Sequence, residues 1–159
     1  MRKLALLLLL CLPSLALANP TVCKSGDEVL PYNEGQVIEW LNSKNQKRLI
    51  SRAHVQGIIV RLIEDRQNHI HLEVDLDTDL NTKKDRVEVI FNTKFGSLPE
   101  FRPNDPIIAC GDFIRDKYSP LKGVIHWLHL NPKNTRHEHG FLVINGVMTG
   151  HENPAKHKR

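Results

Sequence analysis

Apolar residues fall into two regimes along this chain. From 37 to 41 they recur at helical intervals, and from 54 onward they recur mostly every second residue. Asn33 lies three residues before Gln36, a capping-box spacing, and Val37, Ile38, Trp40 and Leu41 follow, so the pattern predicts a helix over 34–44. The β-branched run at 54–63 predicts a first strand with a bend at Gly57, and 69–77 alternates strictly. There Ile70, Leu72, Val74 and Leu76 take one face, and His69, His71, Glu73, Asp75 and Asp77 the other. Further strands are predicted at 86–91, 106–115 and 123–130. A hairpin, 140–144 with 147–150, turns at Asn145-Gly146. The stretch 92–105, with Gly96, Pro99 and Pro103, reads as a loop with room for one helical turn.

Five to seven short strands in about a hundred residues, after one helix, predict a mostly β fold: a small closed OB-like barrel. A β-sandwich is the alternative. The expected layout is a leader at 1–18, an N-terminal segment with the helix at 19–50, the barrel domain at 51–150 and a flexible basic tail at 151–159.

Composition adds the compartment. Met1-Arg2-Lys3, the apolar run 4–12 and Ala16-Leu17-Ala18 form a secretory signal with a cut expected before Asn19. The predicted location is therefore the periplasm or outside the cell. Elsewhere no apolar run reaches the roughly 20 residues of a membrane span. The chain carries 22 Lys and Arg against 18 Asp and Glu. Removing Arg2 and Lys3 with the leader brings it closer to neutral, so net charge gives little support to a nucleic-acid partner. Cys11 leaves with the leader too. The remaining pair, Cys23 and Cys110, predicts one disulfide in an oxidising compartment.

Candidate chemistry concentrates at 123–140. His126, His129, His137 and His139 lie there, of nine His in the chain, with Trp127 among them. Neutral imidazoles suit zinc, copper or nickel, and three converging would leave an open coordination position. On a straight strand, however, His126 and His129 would face opposite sides, and no H-E-x-x-H is present. General acid–base work without metal, or plain hydrogen bonding that fixes the turn, are the competing readings. A second constellation, Asp75-x-Asp77-x-Asp79, resembles the start of a calcium loop. It has Leu80 where that loop needs Gly and Arg86 where it needs Glu, so it reads as a solvated strand face. For nucleic acid, Lys83, Lys84, Arg86, Lys94, Phe95 and Arg102 supply basic and aromatic groups, interleaved with acids.

The block Gly57-Ile58-Ile59-Val60-Arg61-Leu62, then His69, Gly123-Val124-Ile125-His126-Trp127, His129, Pro132, His137 and Gly140 give the stretch 55–146 a resemblance. It is similar to a bacterial domain-of-unknown-function family of small exported proteins. Where this chain has Asn131 the family tends to have Asp, so the resemblance implies export and a shared site but no carboxylate chemistry at 131 and no particular activity. The leading expectation is an exported OB-like binding module. Its ligand or protein partner would meet a site of His126, Trp127, His129, Asn131 and His137, with His69 approaching from the second strand. The alternative is a hydrolase, metal-dependent or His-based and phosphodiesterase- or nuclease-like, with His126, His129, His137 and His139 as metal ligands. A structural or inhibitory interaction protein is the third. Whether the chain is an enzyme is left open by these patterns.

Overall fold

One strand of 17 residues, β3 (Ile50–Arg66), organises the sheet. A computed structural model of the chain describes residues 21–44, 49–131, 133 and 136–151. The leader expected over 1–18, and with it export, falls outside those residues, as does the tail from 152. Ahead of β3 come a short ribbon, β1 (Lys24–Ser25) with β2 (Glu28–Val29), and the helix α1 (Glu34–Asn42). After it come β4 (His69–Asp75), β5 (Arg86–Asn92), a 3-10 turn (Thr93–Phe95) and β6 (Pro106–Arg115). β7 (Gly123–His126), β8 (Phe141–Ile144) and β9 (Val147–Thr149) complete the order.

The strands run β3-β4-β5-β7-β6-β8-β9, with a further ladder between β3 and β6. All pairs are antiparallel except β5 with β7, which meet in parallel at Glu88↔Val124 and Val89↔Ile125. The expected small closed OB-like barrel is therefore corrected to a mixed antiparallel and parallel seven-stranded sheet. The last hairpin does not close the sheet on all its strands. It leaves β6 as an extension, and β9 pairs only with β8 among the described residues. The cause lies in β6, whose one edge is divided between β8 along Ile107–Cys110 and β7 along Asp112–Arg115. Gly111 marks the change of partner, and a Cβ there would sit 2.4 Å from the His126 carbonyl oxygen.

β3 changes partner in the same way. It pairs with β6 as far as Ile58↔Pro106 and with β4 from Ile58↔Asp75 onward. Gly57 stands at that crossing, where a Cβ would lie 2.3 Å from the Asp75 carbonyl oxygen. The residue that the sequence marks as a bend is thus what lets β3 approach Asp75 so closely.

The alternating apolar positions of β4 and β5 point inward as predicted. Leu72, Val74, Val87, Val89 and Phe91 join Ile59, Phe113, Ile125, Leu142 and Ile144 in the core. α1 closes one end by burying Val37, with Trp40 set 5.5 Å from the Phe113 ring. Asn145 and Gly146 both take positive φ, the turn their identity predicts. Cys23 and Cys110 form the expected disulfide, tying the N-terminal ribbon to β6 across 87 positions. On loop-closure entropy alone such a link contributes about 4–5 kcal/mol.

Candidate metal centre

The polar face of β4 is not solvated. Glu73 and Asp75 on β4, Arg86 and Glu88 on β5, and Asp85 just before β5 are all buried. The β4–β5 connection folds over them. Arg86 donates to Asp75 Oδ2 at 3.2 Å, to Glu73 Oε1 at 2.9 Å and to the Leu80 carbonyl at 2.9 Å, so one guanidinium fastens the loop to both carboxylates. Those bonds, the one to Glu73 foremost, raise the Arg86 pKa and keep it charged. The expected solvated strand face is corrected accordingly: Arg86, which rules out a standard calcium loop by position, buries the row instead of flanking it.

Within this arrangement Asp75, Asp77 and Asp85 each bring a carboxylate oxygen to within 4.8 Å of the others. Asp75 enters from the last position of β4 and Asp85 from across the hairpin, where the Leu76 N–H donates to its carbonyl. Asp77, exposed in the connection, is oriented by the Asp79 N–H bonding its Oδ1 at 2.7 Å. Asp79 itself turns away to Asn81. Thr82 donates to Asp85 Oδ1 at 2.8 Å.

With all three aspartates ionised, two oxygens of the cluster, Asp75 Oδ1 and Asp85 Oδ2, are buried without a hydrogen-bond partner. An unpaired buried carboxylate oxygen costs more than almost any other polar atom. Asp77 is raised above the ordinary carboxylate range chiefly by a hydrogen bond shared with Asp85. Burial works to raise Asp85 as well, but the bonds from Asp77 and Thr82 outweigh it and hold Asp85 low. Two carboxylates at that distance need a proton or a cation between them. The cluster could coordinate a metal ion, and its all-oxygen donor set suits calcium, magnesium or manganese better than the zinc, copper or nickel expected from imidazoles.

The imidazoles behave differently. The strand expected over 123–130 ends at His126, because Trp127 takes a left-handed backbone (φ 55°) that no pleated strand contains. Trp127 stacks on His137 at 3.6 Å and lies 4.8 Å from His126. His69 does approach from β4, 5.7 Å from His126 between ring centroids. His129 stacks on Phe95 at 3.5 Å and donates to the Leu130 carbonyl. Asn131 bonds His139 through its N–H and the His137 carbonyl through its side chain.

His126, His129, His137 and His139 therefore do not form the expected metal set. Among the described residues the three aspartates are the group of three whose ligand atoms lie within 4.8 Å of one another. The His/Trp-lined ligand site is corrected for a related reason. Its rings occupy one another's faces, and the space left beside them is about 210 Å³, below the roughly 300 Å³ at which ligand pockets begin.

Sequence reasoning passed over one feature of this face. Asp112 accepts from His137 Nδ1 at 2.8 Å and from Arg52 at 2.8 Å, and buried Arg52 also reaches the Lys24 carbonyl. At His126, burial first, and then the nearby His69, His129, His71 and His137, lower the pKa to about 4.

No family model, curated protein or solved structure matches the chain.

Proposed function

We propose that this chain is a divalent-cation protein of the metal-dependent hydrolase class, with Asp75, Asp77 and Asp85 as cation ligands and a phosphodiester as substrate. The observation that carries the reading is the pair of buried, unpartnered oxygens on Asp75 and Asp85, inside a group of three carboxylates. Three carboxylates fill only part of the six or more positions that hard cations take. The exposed side of Asp77 leaves the remainder for water and a substrate oxygen. Held by Asp75, Asp77 and Asp85, a cation would acidify a bound water and take up charge on a phosphoryl oxygen. Water oxygen then bonds to phosphorus, the P–O ester bond breaks, and the water proton leaves with the departing alcohol. The exposed Arg61, bonded to Glu73 at 2.7 Å on β4, and the exposed Lys83 and Lys84 of the β4–β5 connection supply positive charge on the elements that carry the cluster.

Calorimetric titration with Mn²⁺ and Ca²⁺, paired with turnover of bis(p-nitrophenyl) phosphate, tests both parts. The expected result is one ion per chain, lost in Asp85→Asn and Asp77→Asn, with Mn²⁺-dependent turnover lost in the same variants. Absence of binding, or binding that those variants keep, overturns the cation site. Stoichiometric binding without turnover overturns the hydrolytic part.

A further inference from the structure

We infer that the basic pocket at the C-terminal end of α1 is a docking surface for the backbone of single-stranded nucleic acid. The inference deepens the proposed function by naming its substrate class. It rests on that reading for cleavage and stands apart from it for binding.

The pocket encloses about 770 Å³ between the end of α1, the end of β6 and the turn that follows β6. Its charged side chains are Lys44, Arg115, Lys117 and Lys122, against the single acid Asp116. That acid is already engaged: its Oδ1 accepts the Tyr118 N–H at 2.9 Å. Arg115 is held at the wall by its bond to the Trp40 carbonyl. Tyr118 projects with 84% of its surface exposed, and the Lys117 ammonium sits 4.9 Å from its ring centroid.

The turn is rigid. The Asp116 N–H bonds the Lys122 carbonyl, Lys122 bonds Ser119, and Ser119 is tied to Glu88 on β5. The backbone that carries Lys117 and Tyr118 is thus held in place before binding, which leaves only their side chains to be ordered. Clustered cations around a solvent-facing aromatic ring are the combination that holds single strands, with phosphates on the cations and a base stacked on the ring. A duplex hides its base faces and gives the tyrosine nothing to stack on.

Position supports the same assignment. Asn42 lines the pocket, and its side-chain amide donates to the Lys84 carbonyl at 2.8 Å, one residue before Asp85. The wall of the pocket therefore touches the chain next to the cation loop. The basic set read from the sequence does not make such a groove: Arg86 is buried on carboxylates and Phe95 is covered by His129.

The test is fluorescence anisotropy of a labelled oligo(dT) about 12 nucleotides long, in EDTA so that no cation takes part. The expected result is saturable, salt-dependent binding, weakened about tenfold or more by Lys117→Glu/Lys122→Glu. Tyr118→Ala is expected to weaken the oligonucleotide about fivefold or more and to leave inorganic polyphosphate unaffected. Absence of saturable binding at low salt overturns the proposal, as does binding that the charge reversal leaves unchanged. Equal binding of duplex, or polyphosphate bound as tightly as oligo(dT) with no effect of Tyr118→Ala, also overturns it in favour of a general anionic surface. Failure here is distinguishable from failure of the cation site. Asp85→Asn should keep oligo(dT) binding in EDTA, and the charge reversal should keep the Mn²⁺ titration.

Discussion

At the β4–β5 end of the sheet, carboxylates crowd together and two of their oxygens find no partner. Along 126–139, imidazoles and an indole crowd just as closely, yet each of His126, His129 and His137 has a ring to lie against. Residue density is similar, but the chemistry differs. A neutral imidazole both donates and accepts, and its flat face stacks, so such a cluster can satisfy itself. A carboxylate only accepts. Three of them cannot satisfy one another, and the remainder has to come from a proton, a cationic side chain or a metal ion. Arg86 supplies part of it for Asp75. The acidic end is therefore incomplete without a further proton or cation, whereas the aromatic end satisfies itself ring against ring.

Breaking the acidic end at its counterion gives the largest expected effect. Arg86→Ala leaves Asp75 buried without its guanidinium and Glu73 with that of Arg61 alone, and should cost about 3–5 kcal/mol in urea unfolding. At the aromatic end the largest effect is one of pH. His126 has a pKa of about 4 in the folded protein against an unfolded value near 6.5. Its stabilisation is thus complete above pH 6.5 and is lost as pH falls toward 4, where the unfolded chain takes up a proton that the folded one refuses. The expected loss is up to about 3 kcal/mol. Comparison of unfolding at several pH values between the parent and His126→Gln should show the variant flatter across that window.

Much of the scaffold was legible. β6 spans Pro106–Arg115 as the pattern predicts, the Asn145-Gly146 turn forms, and the helix starts at Glu34. Closure was not legible, because alternation reports which face a residue takes and says nothing of how one strand divides its edge, as β6 does at Gly111. The aromatic face was misjudged at Trp127, whose left-handed backbone ends β7 early and cancels the argument that His126 and His129 lie on opposite faces. Asp75 and Asp77 were read as a solvated row because period-two spacing looks the same whether the outer face meets water or a folded-back loop. The third ligand, Asp85, comes from across the hairpin and outside the Asp-x-Asp spacing. The available signal was the adjacent pair Asp85-Arg86 opposite Asp75, a buried-charge pairing hidden in a run that otherwise reads as a basic turn.

Saturating cation sharpens the contrast further. Calcium or manganese at a hundred times its Kd should add about 2.7 kcal/mol to stability. That increment should vanish in Asp85→Asn and persist in His137→Ala, as thermal melts with and without EDTA will show. The smallest effect belongs to His137→Ala by itself. It removes one ring stack and one bond to Asp112, a loss of about 1–2 kcal/mol in chemical unfolding. Cation affinity should stay unchanged by calorimetry.

Anomalous diffraction from crystals grown with Mn²⁺ puts the question to the atoms themselves. The expected result is one strong peak within about 2.6 Å of carboxylate oxygens from Asp75, Asp77 and Asp85, and none among the imidazoles. A map without density between those aspartates, or one whose peak is held by His126, His129, His137 or His139, would contradict the assignment.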